Sequence, residues 1–172
     1  IEHSVFALPY AWAGAFLAAG GLPSGRALIF LTIAMIAARS FAMAFNRLAD
    51  MPFDRDNPRT CDRPLVTGVI SAKQTWAFCA LMALIFIACC AALNTVCLWL
   101  SVPALLFAAA YSLLKRFTPF CHFWLGATLG LAPLAGWLSV NPDSLGLPAA
   151  LLFFAVTFWV AAFDIYYAFQ DL

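Results

Sequence analysis

Six apolar runs, at about residues 4 to 20, 27 to 46, 74 to 93, 96 to 114, 119 to 139 and 148 to 169, restrict this chain to very few folds. A membrane-spanning helix requires about 20 such residues, and each run is close to that length, the first somewhat short. Hydrophobic residues make up 65% of the sequence and charged residues 10%. The mean hydropathy of +0.94 lies far outside the range of a soluble globular domain. The expected fold is therefore all-α, a polytopic transmembrane helical bundle with six spans, formed by one domain over residues 1–172. No internal repeat, low-complexity tract or soluble domain is evident.

The connections carry the topology. Between the runs lie Gly20-Gly21-Leu22-Pro23-Ser24-Gly25, a long polar loop from Asp50 to Lys73, a tight turn near Asn94, the pair Lys115-Arg116, and Asn141-Pro142-Asp143-Ser144. Arg47, Arg55, Arg59, Arg63 and Lys73 fall on the same side as Lys115 and Arg116, whereas Arg26 stands alone opposite them. The positive-inside rule then places the 46–73 loop, the 115–118 loop and both termini in the cytoplasm, an arrangement that an even number of spans permits. A multi-pass protein of a bacterial inner or plasma membrane is expected. The nine basic residues give a net charge of only +1 and are spread over loops, a pattern unsuited to nucleic acid. Cys61, Cys79, Cys89, Cys90, Cys97 and Cys121 form no CxxC or Cys/His pattern and read as small helix residues. No basic stretch precedes the first run, so no signal peptide is expected, and both ends read as fragment ends. Nothing points to an obligate protein partner.

The chemistry-bearing residues gather where oil meets water. Asn46-Arg47-Leu48-Ala49-Asp50-Met51-Pro52-Phe53-Asp54 is an NxxxDxxxD run. At about 100° per residue, Arg39, Asn46, Asp50 and Asp54 fall within about 80° on one helical face. An arginine inside a span costs about 3 kcal/mol, so Arg39 is expected to face a polar interior and to pair with a carboxylate or phosphate. The alternative is a snorkelling arginine and a solvated helix end. At the end of the sixth run, offsets of three and seven place Asp164, Tyr167 and Asp171 on one face. Two acidic helix ends at one surface would repel unless cations stood between them. Two Mg²⁺ ions joining both clusters to a lipid diphosphate account for this, because carboxylates and substrate phosphates are the usual Mg²⁺ ligands. His3 and His122 are the only histidines, and a transition metal held by His or Cys is not expected.

These residues resemble a known family. NxxxDxxxD followed by Arg55-Asp56, then Arg59-Thr60-Cys61-Asp62-Arg63-Pro64-Leu65 and Gly68, then Tyr111-Ser112-Leu113-Leu114-Lys115-Arg116-Phe117-Thr118, then DxxYAxxD, is similar in content and order to the UbiA superfamily of intramembrane prenyltransferases. The resemblance covers the whole chain and implies a bundle of about nine spans, of which this chain matches the first two thirds. It further implies Mg²⁺-dependent transfer of a polyprenyl group from its diphosphate to an aromatic ring. Carried over, it makes Asn46, Asp50 and Asp54 ligands of one Mg²⁺ and of the diphosphate, and Asp164 and Asp171 ligands of a second. A further aspartate of the family's second motif falls beyond Leu172, so the chain as it stands need not be active. Arg59, Arg63, Lys115 and Arg116 would neutralise the departing diphosphate. For Lys115 and Arg116 a topological anchor remains the alternative. Tyr111 and Tyr167 would shield the allylic cation or orient Lys115, the alternative being interfacial belt residues. The many phenylalanines, tryptophans, alanines and glycines suit a dry reaction chamber and suit ordinary helix packing equally.

The stretches Glu2 to Pro9, His122 to Gly126, Leu131 to Trp137 and Phe163 to Asp171 resemble the 4-hydroxybenzoate polyprenyltransferase-like branch, closest to enzymes of the futalosine route to menaquinone, whose acceptor is a dihydroxynaphthoate. Both acceptors are phenolic acids, and no single residue separates them. His122 would contact the acceptor or cap the fifth helix. Two other readings remain: prenyl transfer to a non-benzoate acceptor such as haem or chlorophyllide, and a polytopic transporter or lipid-binding protein with acidic ion sites. The transporter reading predicts a midplane site, whereas the charges here cluster at one surface.

Overall fold

The computed structural model describes residues 2–169, with side chains from residue 7 onward. Six helices follow one another: α1 (Glu2–Ala19), α2 (Gly25–Asp54), α3 (Ala72–Leu93), α4 (Thr95–Leu114), α5 (Cys121–Val140) and α6 (Leu147–Ala168), with a single 3-10 turn at Pro142–Ser144 before α6. Helices α2 to α6 are long and apolar enough to cross a membrane; α1 carries a shorter apolar stretch, Ala7–Ala19. The Asp171 assignment lies outside the described residues.

Local chemistry sets the helix ends. Gly20, at φ +62°, adopts the left-handed conformation that ends α1, and the Gly20 and Gly21 N–H groups donate to Leu17 and Phe16 carbonyls. This is a Schellman cap. The Ser24 hydroxyl accepts from the Ala27 N–H to start α2, and Ser71 with Gln74 forms a capping box that starts α3. Asn94 alone joins α3 to α4: its Oδ1 accepts from the Cys97 N–H, and its Nδ2 donates to the Leu138 carbonyl of α5.

One boundary differs from expectation. The polar loop begins at Arg55 rather than Asp50, because α2 continues as one helix of 30 residues through Pro52. Lacking an N–H, Pro52 forfeits only the bond to the Leu48 carbonyl, a loss tolerable in the last turn. The extension matters, because it keeps Asn46, Asp50 and Asp54 on one continuous helix.

Packing follows small residues. Helix α5 lies between α1 and α6, while α2 packs on α3 and α4. A Cβ at Gly136 would stand 1.8 Å from the Ala11 carbonyl oxygen, and one at Gly126 would stand 2.2 Å from that of Thr157. Helix backbones approach that closely only where no side chain intervenes, and such contacts drive association where lipid removes the hydrophobic effect between helices. Ala11, Ala15, Leu31 and Ala132 form one buried cluster; Leu129, Val156 and Val160 form another. Up-down alternation places the C-terminal ends of α2, α4 and α6 and the starts of α3 and α5 at one end of the bundle.

Candidate active site

At that end, Asn46 and Asp50 converge on one ammonium group. Lys115, the residue that ends α4, donates from Nζ to Asn46 Oδ1 at 3.0 Å and to Asp50 Oδ2. The Asp50 side chain is only 14% exposed, so its carboxylate is held where solvent screens little. One turn on, Asp54 Oδ2 accepts from Arg63 at 2.6 Å, and the Asp54 carbonyl accepts from the Thr60 hydroxyl. The loop after α2 thus folds back on the helix that precedes it. Arg116 donates to the Ala49 carbonyl and lays its guanidinium 4.7 Å from the centre of the Phe53 ring. It ties the end of α4 to α2, a contact suited to a structural tether. The third carboxylate, Asp164 on α6, accepts from His122 Nδ1 at 2.7 Å.

These contacts correct one expectation. Repulsion between the acidic ends does not by itself demand cations, because Lys115, Arg63 and His122 each already hold one carboxylate. Each of those carboxylates commits only Oδ2, and Oδ1 has no hydrogen bond among the described residues. The Asn46 amide oxygen and the carboxylate oxygens of Asp50, Asp54 and Asp164 are hard donors of the kind Mg²⁺ takes. Among the described residues no three His, Cys, Asp or Glu side chains are grouped to hold an ion unaided.

A cavity of about 840 Å³ opens beside these groups, lined by Arg59, Tyr111, Lys115, Arg116, Phe117, Thr118, Cys121, His122, Asp164 and Tyr167. Asn46, Asp50 and Asp54 do not line it; Asn46 and Asp50 reach its wall through Lys115, whereas Asp54 is held by Arg63 outside it. The Lys115 ammonium lies 6.0 Å from the Tyr111 ring centre, and Tyr167 packs on Phe163 at 4.8 Å. Arg39 is elsewhere. It lines a separate chamber of about 120 Å³ with Ala42, Ala108, Thr128 and Leu129, and its Nε is buried without a hydrogen-bond partner among the described residues. Among the described residues no carboxylate stands opposite Arg39, because Asp50 and Asp54 sit three and four turns further along α2 beside Lys115 and Arg63. Nor does His122 cap α5, whose first turn has no side-chain cap.

The sequence reading missed Phe53 and Thr60. Their signal was present: an aromatic one residue before Asp54 and a hydroxyl six after it, both inside the acidic motif's own segment.

The model of the UbiA prenyltransferase family matches residues 7–172. The chain belongs to that family. It is 38% identical over 161 residues to the 4-hydroxybenzoate octaprenyltransferase of Xanthomonas campestris pv. campestris (strain B100), covering 93% of this chain and 53% of that protein. It is 35% identical over 163 residues to the enzyme of the same name from Edwardsiella ictaluri (strain 93-146), covering 95% and 56%. The chain thus spans about half the length of the curated relatives it matches. Among solved structures, the apo UbiA homolog from Aeropyrum pernix K1 superimposes with a TM-score of 0.89 at 36% identity, over 99% of this chain and 64% of that one. A UbiA homolog from Archaeoglobus fulgidus bound to DMAPP and Mg²⁺ gives 0.77 at 26% identity, over 98% and 60%. The UbiA fold and the expected helical bundle are therefore established for this chain.

Proposed function

We propose that this UbiA-family chain transfers a polyprenyl group from its diphosphate to a phenolic acid, at the end of the bundle where Asn46, Asp50, Lys115, Arg63, His122 and Asp164 meet. The convergence of Asn46 and Asp50 on Lys115 beside a large polar-mouthed cavity carries this reading. It is supported by the relatives named 4-hydroxybenzoate octaprenyltransferase and by the homolog bound to DMAPP and Mg²⁺. A 4-hydroxybenzoate acceptor follows the relatives' names; a dihydroxynaphthoate follows the sequence stretches around His122 and Leu131.

In this reading Asn46, Asp50 and Asp54 would hold one Mg²⁺ and Asp164 and Asp171 a second, and the ions would supply positive charge at the diphosphate. Lys115, Arg59, Arg63 and Arg116 add to it as the allylic C–O bond breaks and its electron pair leaves with the diphosphate. Tyr111 and Tyr167 present aromatic faces to the allylic cation, an interaction of about 2 kcal/mol when desolvated. Apolar helix walls exclude water until a ring carbon of the phenol attacks, forms the new C–C bond and releases its proton. Arg39, its Nε lacking a partner in an apolar chamber, receives the acceptor carboxylate. By the positive-inside rule the charged end faces the cytoplasm, so the diphosphate is drawn from that leaflet.

The deciding experiment offers the full-length gene product, in membranes, a labelled polyprenyl diphosphate with each phenolic acid in turn, and identifies products by mass spectrometry. Prenylated product with one acid and not the other is the expected result, abolished by chelation of divalent cations. Absence of product with both acids would refute the reading. Arg39→Ala is expected to raise KM for the acid by about 10- to 100-fold, the worth of a hydrogen bond to a charged group, and to leave KM for the diphosphate unchanged. Equal rises in both would place Arg39 with the diphosphate instead.

A further inference from the structure

His122 stands in the first turn of α5 and makes one hydrogen bond among the described residues, from Nδ1 to Asp164 Oδ2 at 2.7 Å. An ionised carboxylate can only accept, so Nδ1 carries the proton in this pair. Both side chains line the 840 Å³ cavity, and each is about a quarter exposed, at 25% and 27%. The pair is placed by the scaffold. One turn further into the bundle, the missing side chain of Gly126 lets α5 touch the α6 backbone at Thr157 and Ala161. From Gly126 back to His122 is one turn of α5, and from Ala161 on to Asp164 is one turn of α6. Because the helices run antiparallel, both steps lead the same way, and the close contact sets the register at which imidazole meets carboxylate.

Asp164 differs from its two counterparts. Asp50 is held by an ammonium and Asp54 by a guanidinium, whereas Asp164 is held by a ring N–H, which donates without needing a charge of its own. Left unheld, Asp164 could turn either oxygen to the cations around the cavity, and Lys115, Arg59 and Arg116 all line the same space. Ring N–H groups and carboxylates that orient metal ligands from behind are a general device of metal sites.

We propose that His122 is a positioning residue for Asp164: its Nδ1–H occupies Oδ2 and leaves Oδ1 as the single oxygen that Asp164 presents to a divalent cation. This rests on the assignment of Asp164 as a cation ligand in the proposed function. It replaces direct contact with the acceptor as the role of His122, and it adds a determinant of cation affinity outside the acidic motifs themselves.

The test is Mn²⁺ binding, followed by electron paramagnetic resonance, to the purified full-length protein in nanodiscs with inorganic pyrophosphate present. His122→Ala is expected to weaken Mn²⁺ binding by about 10- to 100-fold, the usual effect of removing such a partner. His122→Asn places an amide N–H close to the position of Nδ1 and is expected to restore affinity to within about threefold of the parent. The Mg²⁺ concentration for half-maximal prenyl transfer should rise in His122→Ala while KM for the phenolic acid stays constant, a split that a loss of folding would not produce. Parental Mn²⁺ affinity in His122→Ala, with weakened affinity in Asp164→Asn, would overturn the positioning role alone. Parental affinity in both Asp164→Asn and Asp50→Asn would overturn the cation assignment beneath it. A raised KM for the phenolic acid with unchanged Mn²⁺ binding would return His122 to the acceptor.

Discussion

Asp50→Asn is expected to lower kcat/KM for prenyl transfer by about 10²- to 10³-fold, roughly 2.7 to 4 kcal/mol, while the protein inserts and folds as before. The amide keeps an oxygen for the Lys115 ammonium, so the tie between α2 and α4 persists through Asn46 and residue 50. What disappears is the negative charge that competes for a divalent cation and offsets Lys115. Asp54→Asn should behave alike in activity. It should also loosen the loop after α2, because Arg63 would then face a neutral amide where its charged partner is now only 11% exposed. Breaking a well-buried pair costs about 3 to 5 kcal/mol; this pair, at the bundle's rim and with Arg63 29% exposed, should lose only part of that. Initial rates at saturating and subsaturating diphosphate, with size-exclusion profiles as the folding control, check both variants. Full activity in either one would remove Asp50 or Asp54 from the catalytic machinery.

Gly136→Ala is expected to be the most damaging of the glycine-to-alanine substitutions. The new Cβ would lie 1.8 Å from the Ala11 carbonyl oxygen, 2.8 Å from its carbon and 3.0 Å from the Ala15 nitrogen. All three are backbone atoms, so no rotamer change relieves the contact and α1 must move away from α5. Ordinary overpacking costs about 1 to 3 kcal/mol, and a clash against helix backbone should reach or exceed the upper end. Displacing α1 also uncovers Ala11 and Ala15, which are fully buried. Gly25→Ala is the matched control: a Cβ added there, at the start of α2, would meet nothing within 4 Å, and its effect should stay within about 0.5 kcal/mol. Thermal unfolding of the detergent-solubilised proteins, read as loss of monodisperse material, separates the two. Equal melting temperatures would mean that α1 does not rely on this contact.

The helices were legible because each is written as an apolar run of about the length that crosses a bilayer. The face shared by Asn46, Asp50 and Asp54 was legible because residues four apart on a helix are neighbours. The end of α2 was not. Polar residues and Pro52 interrupt the apolar run near residue 46, but hydropathy reports where a helix leaves lipid and not where its backbone hydrogen bonding stops. Arg39 was readable as a costly buried charge, and its distance from Asp50 and Asp54 was not weighed, because charges on one helix pair only if their turns adjoin.

From the sequence alone follow the helical class, the order and approximate extent of the apolar segments, the acidic face of α2, and the family resemblance. Tertiary structure alone decided which groups meet. Lys115 is 69 residues from Asn46 and 65 from Asp50, and His122 is 42 from Asp164. Nothing in either local segment encodes those separations. The meeting of His122 with Asp164 is set where Gly126 and Gly130 let α5 sit against α6 at backbone distance, and that of Lys115 with Asn46 and Asp50 by the packing of α4 on α2. Periodicity is a property of one helix and can be read along the chain. Register is a property of two surfaces in contact, and it exists only once they are packed.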